Sequence, residues 1–498
     1  MIMKSQKWCV LAAVLFAFMP IVIDTTILHI ALPSLTLALA ASGDELLWII
    51  DIYPLMLAGL LVPMGTLSDR VGQKRMLLTG LVIFLAASIA AAFCPTAIAL
   101  IVVRAFMAIG GAMVIPSILA IIRHVFDNPV ERSVALGLWG TVSSAGAAIG
   151  PIAGGLLLEH FWWGAVFLVN LPIILVLWPI VFRIVPEFRS ETPGSWKIGH
   201  ALLLIAGLIL TVYGLKGLAV GKTETALNFA FIAGGIAIVW QFVHLQRQSR
   251  FPMLDLSLFS NPVISVGIVV AMIVCGALAG VQLTIAQELQ YVLGKSPLEA
   301  GLFMLPLIGA SAVGSPLAGF VVTKVSLKSV MTLSLLMAGG SLLGLAFVDL
   351  QNDPLMVAAS FVILGMALGM GLASSSIAIM NSVPEDKAGS AGALESTGYE
   401  LGIGLGVAIF GGILSSAYRA SIILPDDAPK NAVYSIGETF SAAAQLSSTA
   451  RELLVHAGKL AFVDAHKAVL LSAAMVIVVL SAWVWHALRK LDRIRTQH

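Results

Sequence analysis

The sequence predicts an all-α polytopic membrane protein with 14 membrane-crossing helices. Three observations carry that reading. Of 498 residues, 59% are hydrophobic and 11% charged, with a mean hydropathy of +1.00, whereas soluble domains carry about 25% charge. The apolar residues gather into 14 continuous stretches near the roughly 20 residues that a bilayer core of about 30 Å requires. The chain also repeats itself at an offset of about 255 residues. Continuous runs exclude a membrane β-barrel, whose strands alternate. The composition excludes a soluble globule, a disordered chain and a disulfide-stapled secreted module. The net charge of +2, from 28 bases and 26 acids, is too balanced for nucleic-acid binding. Cys9, Cys94 and Cys275 each sit in an apolar run without CxxC or Cys/His spacing, and read as small buried hydrophobes.

The first six stretches lie near 8–30, 46–66, 76–94, 97–119, 134–158 and 163–182 and form an N-terminal six-helix bundle over 1–190. Two more, near 200–219 and 226–243, read as an insert over 191–245. The last six, near 262–286, 299–322, 329–348, 355–380, 391–417 and 466–487, form a C-terminal six-helix bundle over 246–498. Lys4, Lys7 and Ala38-Leu39-Ala40 imitate a signal peptide around the first stretch. Its apolar length exceeds the about 7–15 residues of a signal core, so it reads as an uncleaved helix. A segment of about 47 residues, Tyr418 to Asp464, precedes the last stretch, and Glu438 to Leu460 has helix-forming composition. A helical hairpin and a cap are both open readings of it.

Loop charges orient the chain. With the N-terminus in the cytoplasm, 19 of the 28 bases fall inside, among them Lys7, Arg70, Arg75, Arg132, Arg247, Arg250, Lys324 and Lys387. Of the other nine, Arg104 is mid-helix and eight lie outside or at the outer boundary; the short outer loops are acidic, with Asp44, Glu45, Glu159, Glu224, Asp349 and Asp353. The excess of bases inside predicts both termini in the cytoplasm.

The repeat is explicit. Gly65-Thr-Leu67-Ser-Asp69-Arg70-Val71-Gly72-Gln-Lys74 returns 254 positions later as Gly319-Phe-Val321-Val-Thr323-Lys324-Val325-Ser326-Leu-Lys328, with Thr323 in place of Asp69. Gly146, Gly150 and Gly154-Gly155 are echoed by Gly402, Gly406 and Gly411-Gly412. Stretches 1–6 thus map onto 9–14. Such repeats mark secondary transporters, which hold their substrate site between the halves.

Two segments carry sharper signals. In the loop GTLSDRVGQKR, Gly65 and Gly72 allow a tight turn, and Asp69 among Arg70, Lys74 and Arg75 suggests a charge-pair latch, with Arg132 nearby in the same set. The plainer reading is a positive-inside anchor. The fifth stretch carries GAAIGPIAGG, where Gly146, Gly150, Gly154 and Gly155 let a neighbouring backbone approach and Pro151 bends the helix. The loop resembles the signature loop of the major facilitator superfamily at Gly65, Asp69, Arg70, Gly72 and Arg75. The glycine string resembles the antiporter signature of proton-coupled drug exporters in that superfamily. Ile23-Asp24-Thr25-Thr26-Ile27-Leu28-His29-Ile30-Ala31-Leu32-Pro33 resembles the first-helix motif of the fourteen-helix drug/proton antiporters, with His29 where Asn is usual. Trp48-Ile-Ile-Asp51-Ile-Tyr53 and Glu395-Ser-Thr-Gly-Tyr399-Glu400-Leu-Gly402 extend the likeness to the quaternary-ammonium exporters of that branch. Arg104-Ala-Phe-Met departs from it, lacking the Gln often found after the Arg. The resemblance implies a major-facilitator fold of two six-helix bundles plus two inserted helices.

An Asp at a helix centre costs about 2.5–3.5 kcal/mol to insert, so such residues persist where they meet water, a partner or a substrate. Asp24 and Asp51 lie on a helical hairpin, and are expected to share the outer half of one cavity. Glu400 is expected near the midplane, facing that cavity from the other bundle, with Arg104 at similar depth. Asp24 as a structural partner of Arg104, and Asp51 as an interfacial residue, are the competing readings. Glu395 and Glu400 are five residues apart, about 140° round a helix, so Glu400 is the better cavity candidate. His29 reads as a helix-end hydrogen bonder, and Glu288 and Glu299 as solvated loop residues. A carboxyl held out of water takes up its proton at higher pH than one in solution, and can exchange it near neutrality. Deprotonated, it attracts an organic cation; competition for one site then couples the two flows.

Mid-membrane amides are few, Gln282 and Asn170, whereas a sugar site needs many polar partners. Trp48, Tyr53, Trp139, Phe361 and Tyr399 are expected on or near cavity helices, where rings bind a desolvated cation for up to about 2 kcal/mol each. These features favour bulky lipophilic cations, and the resemblance implies a proton-coupled multidrug efflux antiporter, expected as a monomer in the bacterial cytoplasmic membrane. Its expected partners are lipophilic organic cations (quaternary ammonium compounds, cationic biocides, dyes), protons and membrane lipid. No metal or organic cofactor is expected, nor an enzymatic site: HExxH, a nucleotide loop and a Ser/His/Asp set are lacking. The alternative is a proton-coupled exporter of a metabolite or neutral drug, in which Asp24 and Glu400 handle protons only.

Overall fold

The computed structural model describes residues 4–189, 196–220, 224–249, 252, 254–383, 388–425 and 428–495. Arg250 and Lys387 lie outside the described residues, among which there is no β-strand. The helices are α1 (Lys4–Leu39), α2 (Gly43–Val71), α3 (Gln73–Ala92), α4 (Ala97–Val125), α5 (Pro129–His160), α6 (Ala165–Leu168), α7 (Asn170–Ile184), α8 (Ile198–Val220) and α9 (Thr225–Gln248). They continue with α10 (Pro262–Gln287), α11 (Pro297–Phe303), α12 (Leu305–Val322), α13 (Leu327–Leu345), α14 (Pro354–Met380), α15 (Ala388–Ser421), α16 (Ile436–Ala443) and α17 (Ser448–Arg495). They supply 14 spans long and apolar enough to cross a membrane, with α6 and α7 sharing one and α11 and α12 another.

Local chemistry sets the helix ends. Ser42 and Ser296 cap α2 and α11, and Glu45 and Glu299 reach back to the cap backbone in two capping boxes. Asn261 caps α10 just before Pro262, which needs no partner for a missing N–H. Gly72, with φ of 114°, turns the chain from α2 into α3 in a single residue.

Buried side chains mainly of α1–α7 form one apolar core, which Ala279, Leu283 and Val407 of the second half join, and those mainly of α10–α15 and α17 form another. Between them, α8 packs on both α2 and α15 through Leu55, Ala58, Leu204, Leu208 and Ala408. Helices α8 and α9 lie almost backbone to backbone: a Cβ on Gly207 would stand 3.0 Å from the Gly235 carbonyl oxygen.

The halves meet closely at the end of the molecule remote from the chain termini, hereafter the distal end. Gln290 donates its amide to the Ile30 carbonyl at 3.0 Å, and Ser296 donates its hydroxyl to Glu159 at 2.6 Å. The backbone of α11 seats against α5, where a Cβ on Gly155 would lie 2.4 Å from Leu298 Cα.

The segment from Tyr418 to Asp464 is both hairpin and cap. Most of its second half is an extension of α17, which begins at Ser448. Helix α16 folds back over the distal end, where Glu438 accepts the Gly43 backbone N–H at 3.0 Å. The Tyr418 and Thr439 hydroxyls, 2.5 Å apart, fasten α16 to α15.

Candidate functional site

Arg104 of α4 organises the first half. Its Nη1 donates to Asp24 Oδ2 at 3.1 Å, its Nε to the Ile49 carbonyl at 2.6 Å, and its guanidinium lies 5.1 Å from the Tyr53 ring centroid. Both Asp24 and Arg104 are buried. One guanidinium thus ties α1, α2 and α4 together, and the partnership of Asp24 with Arg104 is the reading the geometry selects.

Asp51 does not share that setting. Its Oδ2 lies 2.7 Å from Lys216 Nζ of α8. Lys216 also sits 4.1 Å from the Trp48 ring centroid. Lys216, one of the eight bases expected outside or at the outer boundary, is buried to 1% exposure. The reason is contextual: a membrane lysine is stable inside protein when a carboxylate and a ring face replace its water.

A central cavity of about 400 Å³ lies at mid-depth between the halves. Phe18, Val22 and Thr25 of α1 face Cys275 and Gln282 of α10, with Ser143 of α5, Ser311 of α12, and Tyr399 and Glu400 of α15 completing its polar wall. Among the described residues Glu400 makes no ion pair, in contrast to Asp24 and Asp51, which lie outside the cavity wall. Glu395 is buried behind it and accepts the Tyr399 hydroxyl at 2.5 Å. That bond bridges the angular separation expected between Glu395 and the cavity-facing stripe.

The predicted aromatic wall is corrected in four of its five members. Tyr399 lines the cavity. Trp139 instead stacks on Phe18 at 5.4 Å, one layer behind the wall. Tyr53 covers Arg104, Trp48 covers Lys216, and Phe361 is buried in the second core, edge-on to Phe303. Rings near charges in the sequence serve the protein's own cations here, which no spacing rule distinguishes from a guest cation.

Three further positions differ from expectation. Glu288 is buried, with His466 Nδ1 of α17 3.2 Å from its Oε2, because residues 288–292 continue α10 as a π-helical turn instead of leaving it as a loop. His29 is buried rather than at a wet helix end. Asn170 is internal, donating to the Ser88 hydroxyl at 3.0 Å.

The loop from Gly65 to Arg75 docks within its own half. Arg75 Nε lies 3.6 Å from Glu187, just beyond α7, and Glu187 also accepts the Lys74 N–H at 3.1 Å. Arg75 therefore leaves Asp69, which lies within electrostatic reach of Arg123 and His124 at the end of α4. Among the described residues, Arg132 forms no ion pair with Asp69. Gly65 meets Pro116 of α4, where its Cβ would stand at 3.4 Å. The glycines of α5 form a groove for α1: a Cβ on Gly146 would lie 3.0 Å from Val22, and one on Gly154 2.6 Å from Ile27. Gly150 faces Thr26 in the same groove, and the Pro151 carbonyl abuts Gly301 of α11.

Lys216, His466 and the apolar wall residues Phe18, Ile21 and Val22 escaped the sequence reading. Lys216 had a signal, a lone base inside an apolar stretch. The others had none, since one apolar membrane residue looks like the next.

Two helical cores enclosing a mid-depth cavity, with Glu400 in its wall and in no ion pair among the described residues, and the family match that follows, define a polytopic membrane transporter. The chain belongs to the Major Facilitator Superfamily, whose description matches residues 14–283 and 270–425. It is 41% identical over 493 residues to the methyl viologen resistance protein SmvA of Salmonella typhimurium, covering 98% of this chain and 99% of that one. It is 37% identical over 495 residues to the multidrug efflux pump LfrA of Mycolicibacterium smegmatis, covering 98% and 97%. Among solved structures it resembles a bacterial homologue of the human lysosomal transporter Spinster in an inward-facing, unoccupied conformation, with a TM-score of 0.69 at 18% identity over 98% of both chains.

Proposed function

We propose that the chain is a proton-coupled multidrug efflux antiporter for lipophilic organic cations, working by alternating access in the bacterial inner membrane with both termini in the cytoplasm. The distal end is then the outer face, and its inter-half contacts make this the inward-facing state. The observation that carries the reading is the contrast among the intramembrane acids: Asp24 and Asp51 each hold an internal cation, while Glu400 stands in the central cavity with none among the described residues. A carboxylate in a largely apolar chamber needs a positive counter-charge. A proton and a greasy cation both supply one, and they exclude each other. Binding of either, combined with rocking of the halves, turns that exclusion into exchange without contact between drug and proton. The relatives named for methyl viologen resistance and multidrug efflux support export and a cationic guest. Quaternary ammonium compounds, cationic biocides such as chlorhexidine, and dyes fit the same chamber. No organic cofactor or metal enters this scheme. The polar wall offers one amide, Gln282, which favours a cation over a polyhydroxylated metabolite.

The test uses energised inverted vesicles. Methyl viologen or a quaternary ammonium dye should provoke proton release through the wild-type protein, an uncoupler should stop transport, and Glu400→Gln should abolish both flows. Transport indifferent to the uncoupler, or wild-type exchange by Glu400→Gln, overturns the proposal.

A further inference from the structure

Helix α8 touches both halves, and its two contacts differ in kind. Toward α2 it is keyed. Lys216 pairs with Asp51 at 2.7 Å with both side chains buried. Tyr213 and Trp48 rings lie 6.4 Å apart beside that pair. Nearer the terminal end, Ile205 fills the space over Gly59 so closely that a Cβ there would stand 2.2 Å from Ile205 Cγ1. Toward α15 it is apolar, with Leu204, Leu208 and Val212 of α8 sharing a core with Leu394 and Ala408 of α15. Further along the same face, an open groove of about 600 Å³ lies between Leu215 and Leu218 of α8 and Ala408, Ile409, Gly412, Ile413, Ser416 and Ala417 of α15.

We infer that the Asp51–Lys216 pair locks the inserted helices to the first half, so that α8 travels with α2 and slips against α15 as the halves rock. Asp51 is then a positioning residue and neither a proton carrier nor a drug ligand. The physical reason is the asymmetry of the two faces. Separating a buried ion pair exposes two uncompensated charges to a low-dielectric interior. Sliding apolar side chains past one another uncovers no charge. The inference rests on alternating access, the transport cycle proposed above, and assigns the inserted pair its place in that cycle.

A mutant cycle with two readouts tests it. Asp51→Leu and Lys216→Met should each leave one buried charge alone, lowering both thermal stability in detergent and drug export by about tenfold or more. The double variant Asp51→Leu/Lys216→Met, apolar at both positions, should recover export to within about threefold of wild type, with the wild-type pH profile. A double variant that is as stable as wild type but still fails to couple export to protons would show that the Asp51 carboxylate acts chemically, and overturns the inference. A double variant that fails to fold leaves the second readout decisive. Spin labels on unnatural amino acids at the distal turns of α2, α8 and α15 in the otherwise wild-type protein report distances with and without methyl viologen, in acid and alkaline buffer. The α2–α8 distance should hold while α8–α15 changes; the reverse, or a change in both, overturns it. A protein in which no distance changes refutes the locked-and-slipping arrangement as well. Loss of export by wild type itself would count against the antiporter reading, which these distances do not measure.

Discussion

Arg104 donates to Asp24 across 3.1 Å in a pocket closed to solvent, and the same side chain donates to the Ile49 carbonyl at 2.6 Å. The first half is thus braced by a cation whose charge is matched internally. The second half presents Glu400, whose charge is not. This division of labour between two acids, one braced and one free, is the basis of the expected behaviour of their variants.

Arg104→Gln should destabilise the protein by about 3–5 kcal/mol, the loss typical of a buried pair with one partner removed. Asp24→Asn should cost on the same scale, because Asn keeps an acceptor for Arg104 but leaves its permanent charge uncompensated. Thermal unfolding in detergent measures both. Equal and negligible losses would mean that the pair does not brace α1, α2 and α4.

Glu400→Gln should abolish cation-driven proton release while leaving thermal stability at or above the wild-type value. Removing a charge without an internal partner relieves a solvation cost that nothing in the fold offsets. A clear fall in stability would show Glu400 to be a structural acid.

The two glycine grooves should differ in tolerance. At Gly406 an added Cβ meets the Gly276 backbone oxygen at 2.3 Å, and backbone cannot step aside. At Gly146 it meets Val22 Cβ at 3.0 Å, a smaller overlap. Gly406→Ala should therefore cost about 1–3 kcal/mol and Gly146→Ala distinctly less, on the scale of overpacked interiors. The reverse order in thermal scans would contradict the packing described.

Gly72→Ala should be penalised twice. Its φ of 114° suits glycine, and the new Cβ would stand 2.4 Å from the Glu187 carboxylate that receives Arg75 and Lys74. About 1–3 kcal/mol of backbone strain is expected. Adding Glu187→Ala should recover only the steric share, so the double variant should unfold between Gly72→Ala and wild type. Full recovery would place the whole cost in the carboxylate clash.

Glu438→Ala should loosen the cap by freeing the Gly43 N–H. Hydrogen exchange should accelerate at the start of α2 and in α16, with little change in α3 or α13. Unchanged exchange at Gly43 and its neighbours would mean that the Glu438 contact does not hold the cap.

Much of the fold was legible because the bilayer imposes a length and a polarity that any segment must meet alone. The 14 stretches correspond to the 14 spans of the structure for that reason. Glu400 was legible too, since an acid near the centre of an apolar helix must face something polar, and its angle from Glu395 set the two on different faces. The setting of Asp51 was not. Its partner stands about 165 positions away on an inserted helix, and the period of one helix says nothing about which neighbour its face meets. Glu288 misled for a related reason: the chain around it looked like a loop, and only the π-helical turn and His466 of α17 make it interior.

By itself, the sequence determined what each segment must be: apolar length dictates a span, loop glycines a tight turn, a Ser with Glu three residues on a helix start. These are local demands, met by a segment's own backbone and the lipid around it. Tertiary structure alone decided which charges are neutralised within the protein and which one is left facing the cavity. That choice depends on helices brought together from distant parts of the chain, where a contact of about 3 Å decides whether a buried acid has a counter-charge.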